Sequence, residues 1–109
     1  MDVLNEVIMQ NIVQDIQCAK TYRIGKREFI KFVQDYCGYE MPKMVHIEFK
    51  QYHGTYWLKF LNKQEHMVKV TLDKLWGKYS IRVYCRDEGK DKVTTLENDV
   101  MSNYFIETN

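Results

Sequence analysis

The chain has 109 residues, 45% of them hydrophobic and 28% charged, and a formal net charge of +1. That length suits a single domain with its own core, and the balanced charge argues against avid non-specific binding to nucleic acid, which draws its energy from neutralising phosphates. No apolar run approaches the roughly 20 residues of a membrane span, and the opening MDVLNEVIMQ lacks the basic start and unbroken apolar core of a secretion signal. The expectation is one α+β domain over residues 1–109, cytoplasmic and without a membrane partner.

Leu4, Val7, Ile8, Ile12, Ile16 and Ala19 recur at spacings of three and four, which predicts an amphipathic helix over 2–20 with Asp2 as N-cap. Thr21 to Gly25 breaks the pattern. A second helix follows from Lys26 to Cys37, burying Phe29, Ile30 and Val33, with Gly38 placed to stop it and Pro42 to keep it stopped. From Met44 the period falls to two. Val45, Ile47 and Phe49 mark one face of a first strand, and Tyr56, Leu58 and Phe60 the same face of a second, across a turn at Tyr52-His53-Gly54. Val68, Val70 and Leu72 mark a third strand, and Tyr79, Ile81, Val83 and Cys85 a fourth, with Trp76-Gly77-Lys78 turning between them. A short fifth strand around Val93 is compatible with the pattern. Thr94-x-x-Glu97 reads as a capping box for a last helix through Leu96, Val100, Met101, Tyr104 and Phe105. The predicted order is ααββββα: two N-terminal helices, a four-stranded antiparallel meander and a C-terminal helix, with the helices on one sheet face.

The same alternation assigns the opposite face. It carries His46, Glu48 and Lys50, then Trp57, Lys59 and Leu61, then Met67, Lys69 and Thr71, then Ser80, Arg82, Tyr84 and Arg86. Lysine and arginine outnumber acid there, and residues 45–86 as a whole hold eight basic against three acidic residues. Two ligand chemistries fit Lys50, Trp57, Lys59, Lys69, Arg82, Tyr84 and Arg86. One is an acidic protein partner anchored on Trp57, Tyr84 and Arg82, and the other is a single-stranded nucleic acid stacked on the rings. The first is favoured, as for a small accessory or inhibitor protein. Twelve lysines against four arginines, with many Asn, Ile and Tyr, suit AT-rich coding of the kind found in low-GC bacteria, their phages and mobile elements. The acidic segment 87–109, with six acidic against two basic residues, offers internal counter-charge to this face. An edge strand also offers pairing to a second copy of the chain.

Catalytic signals are weaker. Glu48-Phe49-Lys50 sets a carboxylate and a lysine on one strand face, as in half of the restriction-endonuclease-type nuclease motif. The complete site needs a further acid from a neighbouring strand, whereas Asp35 and Glu40 fall at a helix end and in a loop. Helix-turn-helix recognition through Lys26, Arg27 and Lys31 is disfavoured by the five-residue break and the Phe-rich second helix. His46, His53 and His66 show no paired metal spacing, and Cys18, Cys37 and Cys85 show no CxxC, so the spacing predicts reduced thiols, no metal and no cofactor. With no phosphate loop or nucleophile elbow either, the expectation is a binding module without catalytic residues.

Overall fold

The computed structural model describes residues 20–40 and 47–108. Apart from Lys20, the helix expected over 2–20 lies outside these residues, as do Met44, Val45 and His46 of the first expected strand. Among the described residues the elements are β1 (Thr21–Arg23), α1 (Lys26–Tyr36), β2 (Glu48–Tyr52), β3 (Thr55–Leu61), β4 (Met67–Leu75), β5 (Lys78–Cys85), β6 (Lys90–Leu96), α2 (Asn98–Tyr104) and β7 (Ile106–Thr108). Strands β2 to β6 form one antiparallel sheet in sequence order, and β1 pairs with β7 in a separate two-stranded ribbon. The class is a mixed α+β fold on an antiparallel sheet.

The ααββββα order is therefore corrected in four places, one of them the strand β7 that follows the last helix. The break at Thr21 to Gly25 holds a strand, β1, in place of a plain connection between two helices. The meander has a fifth full strand, β6, which pairs with β5 from Tyr79↔Leu96 to Cys85↔Lys90. The capping box does not form. Thr94 lies in the sheet opposite Ile81, and the shorter helix α2 starts at Asn98 with Glu97 as an extended N-cap that makes no side-chain cap bond. Pairing with β5 hydrogen-bonds Thr94 to Leu96 as strand, which leaves only the downstream residues to wind.

One core joins these elements. In α1, Phe29, Ile30, Phe32 and Val33 form a single buried stripe, and Gly38 leaves the helix at φ 72°. The stripe packs on Leu58, Phe60, Val68, Val70, Leu72, Ile81, Val83 and Cys85, all from one sheet face, together with Met101 and Phe105 beside α2. Phe32 stands at the centre, in ring contact with Tyr36, Tyr104 and Phe105 at 5.0, 5.1 and 5.6 Å. Tyr22 ties the ribbon to the rest. Its N–H donates to the Tyr79 hydroxyl at 3.1 Å, and its own hydroxyl donates to the Asn98 carbonyl at 3.2 Å. Among the described residues no helix is long and apolar enough to cross a membrane.

Two hairpins of the meander turn on two residues with positive φ, His53-Gly54 at 48° and 76° and Trp76-Gly77 at 55° and 77°. This is the type I′ geometry that matches strand twist, in which Asn or Gly is the economical first residue. Trp76 holds a strained backbone there with its side chain 92% exposed, next to Leu75 at 65%.

Two substitutions test this description by urea denaturation. Phe32→Ala is expected to lose about 3–5 kcal/mol of stability, as for a large aromatic removed from a sealed core. Trp76→Asn is expected to gain about 1 kcal/mol by relieving the left-handed strain. A lowered midpoint in the second variant would show that the indole contributes packing that its exposure does not suggest.

Candidate binding face of the sheet

The face turned away from the core is ordered by strand register into rows. One row reads Glu48, Lys59, Lys69, Tyr84 and Asp91 across the five strands, and the next reads Lys50, Trp57, Thr71, Arg82 and Val93. Six of the seven sequence-predicted contact residues thus share a continuous surface. Arg86 does not. β5 ends at Cys85, and Arg86 lies in the β5–β6 turn, where its carbonyl accepts from the Gly89 N–H at 3.1 Å.

Much of the expected positive charge is answered within the sheet. Asp91 receives Arg82 in a two-pronged pair, Nε to Oδ1 at 2.8 Å and Nη2 to Oδ2 at 2.7 Å. Lys50 bonds Glu48 at 2.9 Å along the same strand. Asp73, also outward, accepts the Ser80 hydroxyl at 2.8 Å. Asp91 and Asp73 are the acidic face residues that the sequence did not reveal. Asp91 became visible only with β6, and Asp73 continues the outward parity of β4 beyond the stretch considered. The acidic C-terminal segment therefore does supply counter-charge, as a neighbouring strand and not as a cover.

What stands out is the centre. Lys59 and Lys69 are direct cross-strand neighbours, both half-buried, and Glu48, opposite Lys59 on its other side, offsets only part of the cost of setting like charges face to face. With Glu48, Lys50 and Trp57 they line an open depression. The same face also exposes apolar side chains outside the depression, Met67 on β4 at 51% and Val93 on β6 at 63%. Trp57 is half-buried between its register partners Lys50 and Thr71, and the Arg82 guanidinium sits 5.9 Å from the centre of the Tyr84 ring. The Tyr84 ring is thus partly engaged by Arg82, which leaves less of it for a stacking base.

The Glu48–Lys50 pair is accounted for by this geometry, since the lysine bonds the carboxylate directly. Cys37 is a poor nucleophile because burial pushes its thiol up to about 11, the nearby Lys90 ammonium offsetting only part of the rise. Compared with protein-family models, with curated proteins and with solved structures, the chain matches none of them.

The hydrogen bond from Arg82, and then its charge, hold the Asp91 carboxyl below its usual range, and Lys50 does the same for Glu48. A depressed folded-state value means that each pair adds stability above the ordinary carboxylate range and loses it as pH falls through the folded value. In an NMR titration of the side-chain carboxyls, Asp91 is expected to titrate below its ordinary 3.8 and to move up in Arg82→Gln. An unmoved midpoint in that variant would remove Arg82 as the cause.

Proposed function

We propose that the chain is a non-enzymatic binding module whose outer sheet face docks an acidic segment of a partner protein. The observation that carries this reading is the Lys59–Lys69 pair, two half-buried like charges set opposite each other beside Trp57. A carboxylate placed between the two ammonium groups would relieve their repulsion, so binding energy and strain relief act together. Trp57, Met67 and Val93 supply the apolar contact that lets such a charge pair act within a larger interface. Arg82, an expected anchor, is already engaged by Asp91. It supports the reading as a fixed edge of the surface, not as a free cation.

A protein ligand is favoured over a nucleic acid because Trp57 is half-buried and Tyr84 is engaged by Arg82, whereas the exposed Met67 and Val93 on this face have no use for phosphates. The test is an NMR titration of isotope-labelled protein with a short Glu-rich peptide bearing apolar residues and, in parallel, with a single-stranded oligonucleotide. The peptide is expected to shift the amides of Trp57, Lys59 and Lys69, and a Lys59→Glu/Lys69→Glu variant to weaken it at least roughly tenfold, the scale of one lost close charge pair. An oligonucleotide that binds tightly and loses affinity in Trp57→Ala would transfer the face to nucleic acid. No shift with either probe would sink both readings.

A further inference from the structure

Strand parity carries on past the ends of the ladders, and there it gathers three donor side chains at one end of the dry face. Phe60 and Val68 point into the core, so Asn62 and His66, two residues beyond them along the same alternation, face the same side. Cys85 is the last inward residue of β5 and is fully buried, and Glu88 follows in the β5–β6 turn. One imidazole nitrogen, the Cys85 Sγ and one Glu88 oxygen lie within 4.8 Å of one another.

We infer that His66, Cys85 and Glu88 form a binding site for a borderline-soft divalent metal ion of the zinc class. The donor set is chemically suited to it: imidazole nitrogen, thiolate and carboxylate are the three ligand types that zinc takes, and three protein ligands leave a fourth position for water or a further group. At ordinary zinc bond lengths the ligand atoms of a tetrahedron lie roughly 3.3 to 3.8 Å apart. Small rotations of His66 and Glu88, whose side chains are 35% and 32% exposed, bring the three atoms to that spacing. Cys85, held in the core, is the fixed corner.

The site is also supported from behind. Asn62, a buried polar residue, donates from Nδ2 to Glu88 Oε1 at 2.7 Å, and its Oδ1 accepts the backbone N–H groups of Gln64 and His66, each at 3.0 Å. One buried amide therefore positions both outer ligands, which is the role that second-layer hydrogen bonds play around metals. Without the ion, His66 Nδ1 and Glu88 Oε1 hydrogen-bond to each other at 3.1 Å. On binding, the Cys85 thiol gives its proton to water and becomes the thiolate ligand. The neutral imidazole carries its hydrogen on Nε2, which frees the Nδ1 lone pair for the metal. An open cleft beside the site reaches Glu88 and its supporting Asn62 from solvent.

Cobalt(II) titration of the reduced full chain decides the matter. One equivalent is expected to produce a thiolate-to-cobalt charge-transfer band with the visible bands of tetrahedral coordination, and zinc to bleach both. Cys85→Ala is expected to abolish the charge-transfer band. His66→Gln and Glu88→Gln alter half-exposed groups, so they keep the fold, as circular dichroism would verify even if Cys85→Ala does not. Each is expected to weaken cobalt binding at least roughly 10–100-fold, no less than the loss of a supporting hydrogen bond would cost. No charge-transfer band at one equivalent would overturn the site. So would a band that survives Cys85→Ala, or one unchanged in both glutamine variants.

Discussion

Leu58, Phe60, Val68, Val70, Leu72, Ile81, Val83 and Cys85 all lie on one side of the sheet and are nearly shut off from water, and the two-residue period of a strand then sends every intervening side chain the other way. Each such burial contributes about 1.5–3 kcal/mol, so a slip of one residue in a central strand would exchange several of them for outward residues, among them Lys59 in β3, Lys69 in β4 or Arg82 in β5. Register is held by that penalty. It is the reason Lys59 and Lys69 stand opposite each other despite their charge. The core enforces the alignment that their repulsion opposes.

Tyr22 and Asn62, two polar residues drawn toward this dry side, are bonded on both sides, whereas the buried Tyr39 hydroxyl has no hydrogen-bond partner among the described residues. The backbone N–H and hydroxyl of Tyr22 each have partners, in β5 and α2 respectively, and Asn62 uses both ends of its amide across two neighbouring turns. An unmet donor or acceptor in such a place would cost about 1–3 kcal/mol. Satisfied, these groups fix orientation, where aliphatic side chains would fix only distance. Both residues sit where the apolar core runs out, Tyr22 at the ribbon and Asn62 at the far end of β3, and they define the edges of the packed region.

Strong periodicity was readable in the sequence, and weak periodicity was not. The helix Lys26–Tyr36 and strands β3, β4 and β5 carry dense apolar repeats between clear turn residues, so parity alone placed Trp57, Lys59, Lys69, Arg82 and Tyr84 on one face. β6 reads KDKVTTL, and only its last residue, Leu96, is buried. With no apolar alternation it left little trace, and with it went Asp91 and the true balance of charge on the face. Thr94 and Glu97 carry the signature of a helix start, but the pairing energy of β5 overrides it. The three-residue strands β1 and β7 are too short to show any period. His66, Cys85 and Glu88 come from two separate hairpins, so no spacing along the chain could announce their meeting.

The ribbon has a bearing on the order of folding. Strands β2 to β6 pair only with sequence neighbours through loops of a few residues, so their contacts are local and close at little entropic cost. β1 and β7 meet across almost the whole chain, with Thr21 and Thr108 bonded at a separation of 87 residues. Their union is exposed on most sides and has to await the sheet, since Tyr22 needs Tyr79 and Asn98 in place before it can dock. The meander is thus expected to assemble first and the ribbon to close last, as a clasp. The same clasp would be the first part to open when the protein breathes, releasing both ends of the described chain together while the sheet stays whole.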